Sequence, residues 1–155
     1  MMKVLLYVVV FFLMITSAHA ACRLIVDAQN TDAFIAEISG LNEQINTCPP
    51  EIPGYLKILY KNGDFHVKIG DSKQFMLTVK DGMLASFSEE VSEKPAFTAY
   101  ISEEDFDSVL QSDNRMKTIM TLYKEKKIKI VANNFFKKIM LFVAKPFINS
   151  VIKKM

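Results

Sequence analysis

The sequence predicts an α+β fold, a mixed but mainly antiparallel sheet of about five strands with helices at its face. Three observations carry that expectation. A single stretch of helical periodicity precedes any strand signal. Short alternating segments punctuated by Gly and Asp turns follow it. From Ala96 to Ala132 a strand then leads into a capped helix, a second helix and a closing strand. Half of the 155 residues are hydrophobic and no stretch is of low complexity, which favours an ordered domain over a disordered chain.

Residues 1–20 are set apart because they have the layout of an export signal. Lys3 forms a basic start, Val4 to Ile15 is an apolar run of twelve, and Ala18-His19-Ala20 places small residues where a signal peptidase reads. An apolar run of twelve falls short of the roughly 20 residues that span a bilayer, so cleavage before Ala21 is expected over an uncleaved anchor. His19 stands where a lipoprotein signal wants an aliphatic residue. Residues 21–155 then make one domain. Export gives Cys22 and Cys48 an oxidising surrounding in which to pair, the alternative being two buried thiols. Two cysteines and one remaining histidine are too few and wrongly spaced for a structural zinc.

Thr31 to Thr47 reads as the first helix, with Thr31 as its cap and Phe34, Ile35, Ile38, Leu41 and Ile45 on one face. Pro49-Pro50 and Pro53-Gly54 stop it. Tyr55 to Tyr60, Phe65 to Ile69 and Gln74 to Val79 read as an antiparallel meander, parted by Asn62-Gly63-Asp64, Gly70-Asp71 and Asp81-Gly82 turn signals. Met83 to Ser88 adds a strand or extends the meander. Alternation puts Phe65, Val67 and Ile69 on a buried face and His66 and Lys68 on a polar one, which makes His66 an ordinary surface histidine. Glu89 to Pro95 is polar and is expected as an exposed loop.

Phe97 to Ile101 is β-branched and aromatic, hence a strand. Ser102-Glu103-Glu104-Asp105 is a helix start, because the Ser102 hydroxyl can accept from an orphan amide and the carboxylates complement the helix dipole. Phe106, Val109 and Leu110 recur at helical spacing, Met116, Ile119, Met120 and Tyr123 recur in the next helix, and Lys127-Ile128-Lys129-Ile130 alternates as a strand. The chain ends in an amphipathic helical segment, 133–155, interrupted at Pro146.

The order strand, Ser-x-Glu-Asp-Phe-like helix start and later Lys-Ile-Lys-Ile strand resembles the C-terminal half of the sterol carrier protein type-2 family. The match is good at Ser102 to Phe106. It keeps the alternation at Lys127 to Ile130, where Lys126 and Ala132 or Asn133 occupy positions the family fills with glycine. Weaker similarity runs upstream through Phe65 to Ile69 and Phe75 to Asp81-Gly82. The resemblance implies a twisted sheet packed with helices around an apolar tunnel that holds a fatty acyl chain, a sterol or a similar lipid, with no cofactor and no enzymatic activity. The lipid wall it implies takes Phe87, Phe97, Phe106, Val109 and Leu110 from the body of the domain. Met116, Ile119, Met120 and Tyr123 join them from the second helix of the unit, and Ile139, Met140, Phe142, Val143 and Phe147 from the C-terminal segment. On residue types alone the same side chains make a well-filled core.

Charge is unevenly placed. Ala21 to Met116 holds 8 Lys and Arg against 16 Asp and Glu, whereas Lys117 to Met155 holds 10 Lys against Glu125 alone. Lys137, Lys138, Lys145, Lys153 and Lys154 flank the apolar C-terminal stretch, an arrangement that suits an anionic membrane surface or a helix closing the core. Two arginines and no binding motif exclude nucleic acid as the expected partner. No nucleophile elbow, phosphate-cradling glycine run or metal-ligand spacing is present. The expectation is thus an exported, non-catalytic lipid carrier. The alternative is an interaction module with a filled tunnel that docks to a membrane or protein through its basic tail.

Overall fold

The computed structural model describes residues 22, 24–51 and 61–133. The expected strand at Tyr55 to Tyr60, the export signal and the C-terminal segment from Asn134 onward lie outside them. In chain order the described elements are α1 (Thr31–Thr47), β1 (Gly63–Ile69), β2 (Lys73–Lys80), β3 (Met83–Ser88), β4 (Phe97–Ile101), α2 (Glu103–Gln111), α3 (Arg115–Lys124) and β5 (Lys129–Ala132). The strands form one sheet in the order β3-β2-β1-β4-β5. Every pairing is antiparallel except β1 with β4, which is parallel. The fold is α+β with a mixed five-stranded sheet, as the sequence predicts.

Register divides the sheet into two faces. Leu77, Phe65, Phe97 and Ala132 stand side by side across β2, β1, β4 and β5, and Phe75, Val67, Ala99 and Ile130 form the next row. The helices cover this apolar face. Asp64, His66 and Lys68 alternate with it and share the opposite face with Gln74, Met76, Thr98 and Tyr100. β2 turns into β3 through Asp81-Gly82, whose φ angles of 51° and 75° are both positive, as the tight hairpin that matches strand twist requires. Asn62-Gly63-Asp64 is not a turn: Gly63 and Asp64 open β1, and Asn62 instead receives the Asp81 amide at 2.9 Å, closing the hairpin end.

α1 spans the predicted residues, but its cap is Asn30, whose side chain accepts from the Ala33 amide at 2.9 Å. Thr31 is fully buried, and its amide and hydroxyl both donate to Asp107 Oδ1 of α2 at 2.6 Å. A long-range carboxylate therefore takes the residue that local capping would have used. Ser102 caps α2 as expected, accepting the Asp105 amide at 3.1 Å. α3 ends at a left-handed Lys126 with φ 62°, the conformation glycine adopts most readily. That turn carries Lys127 and Ile128 out of the sheet, so β5 starts at Lys129, two residues later than the alternation suggests. Ile128 is buried in the connection.

Phe34 of α1 anchors the core. Its ring lies 5.0 Å from Phe75, 6.2 Å from Phe87 and 5.4 Å from Phe106, tying helix to sheet and helix to helix. The segment 24–28 straps across the domain with Leu24, Val26 and Ala28 buried. A Cys22–Cys48 disulfide, with Cα atoms 5.3 Å apart, fixes its start to the end of α1.

Candidate functional site

The residues that the sequence assigns to a lipid wall separate into two groups. Phe87, Phe97, Phe106, Val109, Leu110 and Ile119 are all at most 3% exposed. Phe87 and Phe106 belong to the ring cluster around Phe34, and Phe97 stacks on Phe65 at a centroid distance of 5.7 Å. Met120 and Tyr123 of α3 are half-buried, one helical turn apart. The side chain of Met116 lies outside the described residues, as do Ile139, Met140, Phe142, Val143 and Phe147 and the lysines Lys137, Lys138, Lys145, Lys153 and Lys154.

Burial along the apolar face is uneven, and the unevenness locates a candidate site. Where α1 lies against β3, Phe75, Leu77, Val79, Leu84 and Phe87 are sealed. Elsewhere Ile35 of α1, Phe65 of β1, Ala96, Ala99 of β4, Ile130 of β5 and Met120 of α3 are half-buried where they pack against the core, although Phe97 and Ala132 of β4 and β5 are sealed. These are apolar side chains in contact with the core and still reachable from outside it. Their chemistry suits a hydrophobic surface and nothing else: they bring no nucleophile, acid or base. Among the described residues no cluster of His, Cys, Asp or Glu could hold a metal, and no helix is long and apolar enough to cross a membrane.

His66 is not the surface residue that alternation suggests. It is 5% exposed, because the chain from Val91 to Ala96 folds back over the polar face of the sheet and walls it in. The Glu89 to Pro95 loop is therefore a wall as well as a connection: the Ser92 amide reaches Met76 Sδ at 3.3 Å, and Asn133 donates to the Pro95 carbonyl at 3.1 Å. Burial pushes the His66 imidazole below its ordinary pKa; its contact with Gln74 opposes that shift and the Lys68 charge adds to it. The β1 alternation announced a polar face, but only the parallel β1–β4 pairing brings Thr98 and Tyr100 beside His66 and Lys68.

No known family model matches the chain, and no curated protein is similar to it. Among solved structures it is similar in fold to palmitated SCP2L2 from Aedes aegypti, at 17% identity and a TM-score of 0.44 over 74% of this chain and 93% of that one. It is similar also to the UbiJ-SCP2 ubiquinone synthesis protein, at 13% identity and a TM-score of 0.44 over 71% of this chain and 92% of that one. A double mutant of the sec-alkyl sulfatase PisA1 matches 75% of this chain with 16% of its own length, at 15% identity and a TM-score of 0.40.

Proposed function

We propose that the mature chain is an exported, non-catalytic carrier of a hydrophobic ligand, a fatty acyl chain, sterol or similar lipid. The ligand lies against the apolar face of the sheet with Met120 of α3 among its contacts, and the lysines of the C-terminal segment steer the protein to anionic membrane. The observation that carries this reading is the half-buried apolar margin of Phe65, Ala99, Met120 and Ile130 beside a fully sealed core. Water is an unfavourable neighbour for that margin, and an acyl chain or ring system is a favourable one. The sterol-carrier-like helix start at Ser102 agrees with it, and the Cys22–Cys48 disulfide agrees with export.

A filled interior is the second reading. It is favoured by the Phe34, Phe75, Phe87 and Phe106 cluster, which occupies the space between α1, α2 and the sheet with side chains of the chain itself. Native mass spectrometry with lipid extraction, on protein expressed with its first 20 residues, separates the two. The carrier reading expects one co-purified lipid per chain and saturable exchange with a fluorescent fatty acid. Protein that is empty, oxidised and indifferent to added fatty acids and sterols would overturn it in favour of the interaction module.

A further inference from the structure

The groove on the polar face of the sheet has no part in carrying a lipid, and its chemistry is different. Its volume is about 710 Å³, within the ordinary range of small-molecule sites. His66 and Thr98, each 5% exposed, form its floor, Lys68 and Tyr100 rise from the same strands, and Lys94 stands on the covering loop.

The hydrogen bonds on the floor leave specific capacities unused. His66 Nε2 lies 3.1 Å from Gln74 Oε1, so with that oxygen as acceptor the proton sits on Nε2 and Nδ1 carries a lone pair. No described residue donates to Nδ1. No buried side-chain nitrogen or oxygen among the described residues lacks a partner either, so Nδ1 is reached from the groove. Thr98 Oγ1 accepts from Asn133 at 2.9 Å, which leaves its own proton free to donate. Neither Lys68 nor Lys94 has a carboxylate partner among the described residues. Of the two acids at the groove, Asp64 accepts the Thr78 hydroxyl at 2.9 Å, and Glu93 is exposed on the loop. A ligand here meets two ammonium charges alongside the carboxylates of Asp64 and Glu93, an imidazole acceptor, a hydroxyl donor and the side chain of Tyr100, which is 40% exposed.

We propose that this groove binds a phosphorylated polyol, with the phosphate between the Lys68 and Lys94 ammonium groups and a ligand hydroxyl donating to His66 Nδ1. Two point charges without a guanidinium fork suit a tetrahedral phosphate better than a planar carboxylate. The imidazole acceptor requires a donor on the ligand, and a polyol supplies hydroxyls at a distance from its phosphate, so that one ligand can engage the lysines and His66 Nδ1 together. The proposal does not depend on the lipid reading, because the sheet separates the two sites.

The test is a nuclear magnetic resonance titration of the full, disulfide-intact chain labelled with nitrogen-15. Glucose 6-phosphate, glucose and inorganic phosphate are compared with phosphatidylcholine vesicles containing phosphatidylinositol phosphate. Saturable binding of glucose 6-phosphate that exceeds both glucose and phosphate, moves the His66 Nδ1 resonance and weakens about tenfold in Lys68→Ala supports a soluble ligand. Vesicle binding with the same His66 and Lys68 signature, and no response to the free sugar phosphate, supports the same chemistry carried on a lipid headgroup. Lys94→Ala is the second variant, and both lysines are exposed, so neither change threatens the fold. Equal response to glucose 6-phosphate and inorganic phosphate, shifts confined to residues outside the groove, or a His66 Nδ1 that does not move would each overturn the proposal.

Discussion

Phe106 and Met120 are both assigned to the lipid wall, and their surroundings predict opposite consequences of mutation. Phe106 is 1% exposed, with Phe34 at 5.4 Å and Phe75 at 6.0 Å. Truncating it to alanine removes its transfer energy, leaves a cavity and breaks two ring contacts, a total of about 4 kcal/mol. Met120 is half-buried at the margin of the core. In Met120→Lys the new stem can follow the apolar surface while its ammonium reaches water, so the change costs about 1 kcal/mol of stability. With a urea slope of about 2 kcal/mol per molar, the midpoints should fall by about 2 M and about 0.5 M respectively. Fluorescent fatty-acid uptake should rank the other way. Met120→Lys places a charge where an acyl chain would lie and abolishes uptake in a folded protein. Phe106→Leu, which keeps most of the volume at a cost of about 1.5 kcal/mol, retains uptake. Equal loss of stability in Phe106→Ala and Met120→Lys, or undiminished uptake by Met120→Lys, would refute the division into sealed core and ligand margin.

Three further outcomes are expected. Asp107→Ala strands the Thr31 amide and hydroxyl, now bonded at 2.6 Å, and should cost about 3 kcal/mol in chemical denaturation, with Asp107→Asn recovering about half because its amide oxygen still accepts. Replacing Cys22 and Cys48 together by serine opens a loop closed across a sequence separation of 26 and should lower stability by about 3.5 kcal/mol on the loop-entropy account, read as a lower urea midpoint than that of the oxidised parent. His66 has a lower pKa folded than unfolded, so the unfolded chain binds its proton first. Stability from this residue is therefore full above about pH 6.5 and declines as pH falls toward the folded pKa; denaturation midpoints of His66→Gln should lack that component between pH 7 and 5.

Local signals were legible where local chemistry decides the outcome. Ser102 followed by three acids fixes the start of α2, and the Phe34, Ile38, Leu41, Ile45 series fixes α1 to the residue. Asp81-Gly82 states its own turn. The misread positions are those where a distant partner intervenes. Thr31 looks like a cap until Asp107, 76 residues away, claims both its donors. His66 looks exposed because strand alternation reports which face a side chain occupies but not what covers that face. The cover is supplied by a loop 25 residues later, whose polar composition reads as solvent exposure. β5 begins two residues late because Lys126 takes a left-handed conformation that nothing in its side chain announces. Met120 was legible as an apolar position of its helix, but the partial burial of Phe65, Ala99 and Ile130 was not, since periodicity identifies apolar residues and not the share of each that packing covers.

Among the described residues α1 is held by ties that α3 does not share, and that difference bears on how a ligand could enter. Lys73 of β2 joins Asp32 of α1 at 2.7 Å and Glu103 of α2, Thr31 joins Asp107, and Asn42 exchanges two hydrogen bonds with the Phe87 backbone at 2.7 and 2.9 Å. The disulfide adds a covalent tie at the end of α1. α1 is thereby fixed to α2, β2 and β3. Arg115 anchors the start of α3 to the Val26 and Leu110 carbonyls, and just beyond its end the largely solvent-exposed Lys127 lies 3.5 Å from Asp105, a pair of the kind that contributes little. Opening the sheet from α1 would break part-buried hydrogen bonds and the ring cluster together, whereas β5 is an edge strand and Met120 of α3 is already partly exposed. Hydrogen exchange should therefore be faster in the last turn of α3 and in β5 than in α1, and added fatty acid should slow it there first. Uniform protection, or slowing confined to α1, would place the point of entry elsewhere.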